Sequence, residues 1–316
     1  MRAVVVKEHG GPEVLQLGDW PDPSPGPGQL LVDVAAAGVN FMDCYQRMGQ
    51  PPYRGGVPYV PGAEGAGTVA AVGPEVSGVA EGDRVAWAGV PGSYAEQVVV
   101  PADRAVPVPD GVDLEVAAAA MLQGMTAHYL CHSTYPVAAG GVGLLLTQMV
   151  AMRGGVVIGT TSTTAKAVLA QAAGARYVTG YEEFTDVVRE VTGGSGAAVV
   201  YDSVGQATFD ASLTALRPRG YMVLYGASSG PVPPLDPQRL NTGGSLFLTR
   251  PTLVHYIMSR DELLKRSGDV FSWIKEGQLT VRIGGRYPVA EAARAHDDLA
   301  ARRTTGKLLL IPDHTG

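Results

Sequence analysis

The chain has 316 residues, with 24 Lys and Arg against 30 Asp and Glu and a formal net charge of −6. That balance argues against nucleic acid as a partner. Charged residues make up 17% and hydrophobic residues 46%, with 42 Gly and 23 Pro spread along the chain, a composition that folds into packed cores rather than staying disordered. At this length single cores stop growing, so about two domains are expected.

Cys44 and Cys131 lie far apart and form no CxxC or Cys/His ligand spacing. Neither a disulfide framework nor a structural zinc site is signalled, and a reducing compartment is the default. The apolar run behind Met1 is too short for a secretory core, and no stretch of ~18 apolar residues offers a membrane span. A soluble cytoplasmic protein with no membrane partner is expected.

In chain order, residues 3–7, 29–36, 67–72, 84–87 and 93–100 read as short strands cut by turn residues, with the Pro- and Gly-rich segment 21–28 as a rigid loop. This is the grammar of a β-rich domain. From about Ala138 the rhythm becomes strand, helix, strand, with strands at 156–160, 197–202 and 221–225 and helices at 164–173, 184–191 and 208–216. Such alternation specifies a parallel, doubly wound sheet. Residues 291–302 have a helical period, and 307–311 read as a strand that returns to the first domain.

The turn Ala138-Ala139-Gly140-Gly141-Val142-Gly143 precedes an apolar helical run and then a strand. Glycines there let the backbone approach a pyrophosphate, and the following helix aims its N–H groups at the anion. The competing reading is a glycine-rich turn with no ligand. An acid after the second strand would bind the ribose 2′-hydroxyl of NAD, but residues 160–166 hold hydroxyls and Lys166 with no acid at all. Ser162 and Lys166 therefore point to NADPH, although Lys166 also reads as an ordinary solvated helix lysine.

Asn40-Phe41-Met42-Asp43 with Tyr45, Pro61-Gly62-Ala63-Glu64-Gly65-Ala66-Gly67, the glycine turn, Ser162 with Lys166, Asp202-Ser203-Val204-Gly205 and Thr249-Arg250-Pro251 occur in this order along nearly the whole chain. Together they resemble the zeta-crystallin-type quinone oxidoreductases of the medium-chain dehydrogenase/reductase superfamily. The resemblance implies an α/β protein with a GroES-like β-rich catalytic domain over 1–123, completed by 285–316. A Rossmann NADPH-binding domain with a doubly wound parallel sheet would fill 124–284. It implies transfer of hydride or electrons from NADPH to a quinone in the interdomain cleft, and a homodimer joined at the Rossmann sheet edge through residues 245–249.

Carried over residue by residue, Asn40, Asp43 and Tyr45 would stand by the nicotinamide, with Gln123 and Thr126 facing them. Gly140, Gly141, Val142 and Gly143 would hold the pyrophosphate. Thr161, Ser162, Lys166 and Tyr181 would hold the adenine ribose phosphate, and Ser203, Tyr225, Gly226 and Ser228 would line the nicotinamide half. Asn40, Asp43, Tyr45 and Gln123 are the catalytic candidates. Tyr45 also reads as core packing, and Asp43 as a helix cap or first-turn acid. Lys307 carries little weight. Zinc-dependent relatives have a Gly-His-Glu block where this chain has Gly62-Ala63-Glu64, and no cysteine lies among residues 40–43; a metal-free enzyme is expected.

One departure stands out. In the family a strand follows a Tyr-Pro like Tyr135-Pro136 and leads into the glycine turn, whereas here Val137 runs directly into Ala138. Either the strand is deleted or a segment is omitted from a continuously numbered chain; the intact flanking blocks favour omission. Rival readings are an NADPH-dependent alkenal or enone reductase, and a non-catalytic crystallin-like or RNA-binding relative, against which the net charge of −6 stands.

Overall fold

The computed structural model describes residues 1–51, 53–134, 141–301 and 303–313, except for the side chains of Gly141 and Val142. The expected contacts of Gly140 and the junction between Val137 and Ala138 lie outside the described residues. From the N-terminus come β1 (Arg2–Val5), β2 (Gln16–Asp19), β3 (Gln29–Val39), α1 (Phe41–Arg47), β4 (Glu64–Val72), β5 (Arg84–Ala88), β6 (Gln97–Pro101), β7 (Val106–Pro107) and α2 (Leu114–Tyr129). After a π-turn at Leu130–Thr134 follow α3 (Gly141–Ala151), β8 (Ile158–Thr160), α4 (Thr164–Ala172), β9 (Tyr177–Thr179), α5 (Phe184–Val191), β10 (Ala197–Asp202), α6 (Phe209–Thr214), β11 (Leu216–Leu224), α7 (Gln238–Thr242) and β12 (Phe247–Thr249). The chain closes with α8 (Arg260–Lys275), β13 (Ile283–Pro288), α9 (Ala292–Ala300) and β14 (Lys307–Ile311). Among the described residues no helix is long and apolar enough to cross a membrane.

The chain divides into two compact units, Met1–Leu122 with Ile257–Gly316, and Gln123–Tyr256. Residues 257–284, expected with the second domain, pack with the first unit. Two arginines bind main-chain carbonyls at the start of this return. Arg104 Nη1 donates to Ile257 O at 2.9 Å, and Arg260 Nη1 to Asp103 O at 2.9 Å and Ala105 O at 2.6 Å.

In the first unit a seven-stranded sheet runs β13-β14-β3-β4-β5-β7, with β6 also paired to β3. β3 alternates between buried and half-buried residues and then becomes continuously buried from Ala36 to Val39. The alternation marks a strand with one covered face, and the continuous run marks the part covered on both. β14 pairs antiparallel with that buried end, Leu308 opposite Val39 and Leu310 opposite Ala37, and parallel with β13. Leu308, Leu309 and Leu310 are each 1% exposed or less, worth roughly 2 kcal/mol apiece in apolar burial. The core around them includes Val32, Val34, Val69, Trp87 and Val98. Trp87 satisfies its buried indole N–H on Ser93 Oγ at 2.9 Å.

In the second unit every strand pairing is parallel: β8 with β9, and β10 with β11 with β12. Among the described residues no strand joins β8 to β10, so the expected doubly wound sheet is seen as two parallel pieces. A doubly wound order places its first strand between the second and the fourth, which are β8 and β10 here. That is the strand which the family resemblance leads one to expect before the glycine turn.

Asp202, at the end of β10 and 4% exposed, organises the loop that follows. Its Oδ1 accepts from Val204 N at 2.7 Å and Gly205 N at 2.9 Å; its Oδ2 accepts from Thr208 Oγ1 at 2.7 Å and Ser212 Oγ at 2.9 Å. Removing the carboxylate strands several buried donors. Asp202→Ala should therefore lower the stability of the second unit by about 3 kcal/mol or more, read as an early thermal transition in the variant; an unshifted transition would rule out this organising role.

Candidate active site

The candidate cofactor residues of the second unit gather at the carboxyl ends of its parallel strands, where open α/β sheets bind their ligands. β8 ends at Thr160 and runs into half-buried Thr161 and exposed Ser162. Thr163 then N-caps α4 by accepting from Lys166 N at 3.3 Å. The cap fixes the first turn of α4, so Ser162 and half-buried Lys166 are held a few residues apart with no acid between them. A lysine and hydroxyls without a carboxylate suit a phosphate monoester better than a ribose diol.

β9 ends at Thr179 beside Tyr181, and β10 and β11 end beside Ser203 and Tyr225. The Tyr225 hydroxyl hydrogen-bonds with Ser203, and desolvation, with Asp202 and Tyr181 nearby, holds it well above the ordinary tyrosine value, so it stays protonated. Gly226 is required sterically, because a Cβ there would meet Ser203 Cα at 2.7 Å. Gly205 adopts φ +90°, a conformation only glycine takes readily. Ser228 N donates to Ser203 O at 3.2 Å, which folds the segment after β11 back onto the end of β10. Gly141, Val142 and Gly143 form the first turn of α3, which carries no acid; a helix N-terminus of this kind suits an anion. Gln123 and Thr126 lie one turn apart on α2, half-buried and 7% exposed respectively. The residues present thus fit a phosphorylated dinucleotide: an acid-free helix start for a pyrophosphate, a lysine with hydroxyls for a ribose phosphate, and protonated polar groups for the other half.

In the first unit α1 carries an aromatic run. The Tyr45 ring centroid lies 6.4 Å from Phe41 and 5.7 Å from Tyr53, with planes tilted by 32° and 31°. Tyr45 is half-buried. Asn40 N-caps α1, and its N–H donates to Asp43 Oδ2 at 2.8 Å in a capping box.

Asn40 and Asp43 are turned inward, 6% and 1% exposed. Asn40 Nδ2 donates to Gly38 O at 3.2 Å and to Glu64 Oε2 at 2.9 Å, while its Oδ1 accepts from Lys307 Nζ at 2.7 Å. The amide cannot be flipped, since an ammonium only donates and a carboxylate only accepts. Both amide hydrogens are used within the network, which makes Asn40 a residue that sets the start of α1 and leaves it no donor for a bound group. Asp43 likewise serves as a cap and a network member, the alternative the sequence had left beside a contact role.

Behind Asp43 a buried chain of hydrogen bonds continues. Tyr94 Oη donates to Asp43 Oδ2 at 3.0 Å and lies 3.0 Å from His296 Nε2, and Cys44 Sγ lies 3.5 Å from His296 Nδ1. Burial pushes the Asp43 carboxyl up to about 7 against the opposing pull of the Asn40 N–H, Lys307 and Tyr94. Burial, with Arg47 nearby, lowers His296 to about 3, and burial raises the Cys44 thiol to about 12. A neutral His296 donates from Nε2 to Tyr94 and accepts at Nδ1 from the thiol.

Glu64, Lys307, Tyr94 and His296 are the members of this network that sequence reading passed over or gave little weight. Glu64 and Lys307 had a signal, each being a charged residue at the head of an otherwise apolar strand. His296, on the buried side of α9, had none beyond helical period. Among the described residues no group of three or more His, Cys, Asp or Glu is arranged to hold a metal ion.

Residues 26–110 match the family described as alcohol dehydrogenase GroES-like domain, and residues 141–273 the family described as zinc-binding dehydrogenase. This pairing defines a two-domain dehydrogenase or reductase of the medium-chain class. A quinone oxidoreductase of Pseudomonas aeruginosa is 44% identical over 317 residues, covering 96% of this chain and 97% of that protein. A 2-haloacrylate reductase of a Burkholderia species is 40% identical over 328 residues, covering 98% of both. The structure of an Escherichia coli quinone oxidoreductase complexed with NADPH superposes with a TM-score of 0.94 at 40% identity, over 99% of this chain and 100% of that one. The chain belongs to the quinone oxidoreductase family of the medium-chain dehydrogenase/reductase superfamily.

The Asp43–Tyr94–His296 chain has a consequence for stability against pH. A raised Asp43 keeps its proton in the folded state while the unfolded state loses it near 3.8, so its contribution falls as pH rises from about 4 to about 7. A lowered His296 stays neutral while the unfolded state gains a proton near 6.5, so its contribution rises over about 3 to 6.5. The slopes oppose each other between about 4 and 6.5. Asp43→Asn should unmask the histidine slope, with stability climbing by roughly 1.4 kcal/mol per pH unit more steeply than in the parent. Urea titrations at three pH values across that window measure it, and parallel profiles would refute it.

Proposed function

We propose that this oxidoreductase reduces quinones with NADPH and without a metal ion, holding the acceptor against the aromatic run of α1. The observation that carries the reading is the acid-free lysine and hydroxyl cluster after β8 in the second unit; the first unit by itself adds a set of tilted aromatic rings at Phe41, Tyr45 and Tyr53. NADPH supplies the hydride or electrons. The chain's own residues do the rest: the α3 N-terminus and Lys166 with Thr161 and Ser162 hold the phosphates, and Tyr181, Ser203, Tyr225, Gly226 and Ser228 shape the wall where parallel strands end. Tyr45 orients the acceptor and donates a proton, and Gln123 and Thr126 supply further polar groups. A quinone is already electron-poor, so positioning and exclusion of water are the main contributions required.

A second reading is supported by the 40% identity to a 2-haloacrylate reductase: hydride transfer to a polarised carbon–carbon double bond in the same site. Steady-state rates with 1,4-benzoquinone and 2-chloroacrylate separate the two. A homodimer through β12 is part of the proposal. Among the described residues that strand pairs only with β11, and Phe247 and Leu248 are 50% and 37% exposed along it, an open apolar edge of the kind native proteins cover. Both cysteines are free and buried, which suits the reducing cytoplasm.

Lys166→Ala should weaken NADPH binding by on the order of tenfold or more while changing NADH little, read by nucleotide fluorescence titration; equal losses for both would remove the 2′-phosphate role. Tyr45→Phe should lower quinone turnover with NADPH affinity near that of the parent, and unchanged turnover would take Tyr45 out of the mechanism. Phe247→Glu should convert a dimer to a monomer in light scattering, an outcome ruled out if the parent is already monomeric.

A further inference from the structure

At the centre of the first unit, Lys307 Nζ contacts Glu64 Oε2, and both side chains have 0% exposure. Each partner makes a second connection. Lys307 reaches Asn40 Oδ1 at 2.7 Å, and Glu64 Oε1 accepts from the main-chain N–H of Leu122 at 2.6 Å. Leu122 stands in the middle of α2, where an amide is ordinarily used by the helix's own ladder. One ion pair thus reaches the N-cap of α1, five residues ahead of Tyr45, and the residue immediately ahead of Gln123 on α2. The strand alongside leaves room for it: a Cβ on Gly38 would run into both Glu64 Oε2 and Lys307 Cε.

We propose that Lys307 is a positioning residue which, through Glu64 and Asn40, fixes the start of α1 and the middle of α2 and thereby places Tyr45 and Gln123. This inference rests on the reductase reading above. A buried ion pair is weak evidence for stability, since neutral side chains of similar size often replace it at little cost. What it supplies is direction: two opposite charges with defined donors and acceptors admit one arrangement, where an apolar pair would admit several. The pair's contribution is therefore expected in turnover rather than in folding.

The test compares the parent with Lys307→Met/Glu64→Gln, which removes both charges and nearly keeps volume, and with Gly38→Ala, which displaces the pair without removing it. Expected are a folded chain by circular dichroism, faster backbone hydrogen exchange in peptides covering residues 40–47 and 118–126, kcat with 1,4-benzoquinone lower by roughly tenfold or more, and an NADPH Kd within about threefold of the parent. Parent-like kcat and exchange in the double variant would overturn the proposal. So would its failure to fold, because the pair would then be a stability element. A parent chain that turns over neither quinone nor 2-haloacrylate would instead sink the reductase reading, while the exchange measurement, made without nucleotide, still decides the positioning.

Discussion

The contact between a fully buried ammonium and a fully buried carboxylate, Lys307 with Glu64, joins four stretches of the first unit that are remote in sequence. They are the end of β3 with the cap of α1, the start of β4, the middle of α2 and the C-terminal strand β14. Taking either charge out of water costs several kcal/mol, and the mutual attraction offsets this only when the remaining polar atoms are bonded as well. Here the Asn40 side chain and Leu122 N provide those bonds. The same strand supplies Leu308, Leu309 and Leu310 to the apolar core, so β14 fills the hydrophobic centre and carries the charge that orders the polar one. Losing that strand would therefore remove packing and direction together.

The second unit is built on a different constraint. Its polar groups stand where parallel strands stop, because there the main-chain N–H groups and carbonyls of the strand ends have no ladder partner and the loops are free to turn toward a ligand. Asp202 consolidates one such loop by accepting from two amides and two hydroxyls. Gly205 and Gly226 let the main chain come close where a side chain would collide. β8 with β9 and β10 with β11 and β12 each keep this geometry although no described strand links them. Within each piece the parallel register is regular at the carboxyl ends, Thr160 opposite Thr179 and Asp202 opposite Leu224, so the loops that follow leave from one side.

How much could be read in the sequence followed from how local the physics was. β10, α5 and β14 lie at the expected residues because apolar runs with clear boundaries need only their own side chains to declare themselves. β2 and β7 went unread, one being polar and half-exposed and the other two residues long. α8 was also missed, although Ser259 accepting from Glu262 N, acids in its first turn and Gly277 beyond its end are helix signals. The acid-free run with Ser162 and Lys166 after β8 was legible because it lies within a few residues of sequence. The inward orientation of Asn40 and Asp43 was not, since it depends on Glu64 and Lys307, the latter 267 residues away from Asn40. A charge at the head of an apolar strand signals that it must be paired; the sequence does not say with what.

These orientations narrow where acceptor choice can reside in the first unit. Asn40 and Asp43 face the interior, and the chain from Asp43 through Tyr94 and His296 to Cys44 is buried throughout, so none of these groups meets an acceptor differently from one substrate to another. On α1 and just after it, Phe41 and Tyr45 are half-buried and Tyr53 is 39% exposed. Rings tilted by about 30° to one another offer a planar quinone one face at a time, by stacking on a single ring or resting against an edge. A small haloacrylate gains little from such a surface and depends on polar groups to orient its carboxylate. On the reductase reading proposed above, the balance between the two acceptors turns on Tyr45 and its aromatic neighbours, whose helix starts at the Asn40 cap of the buried network.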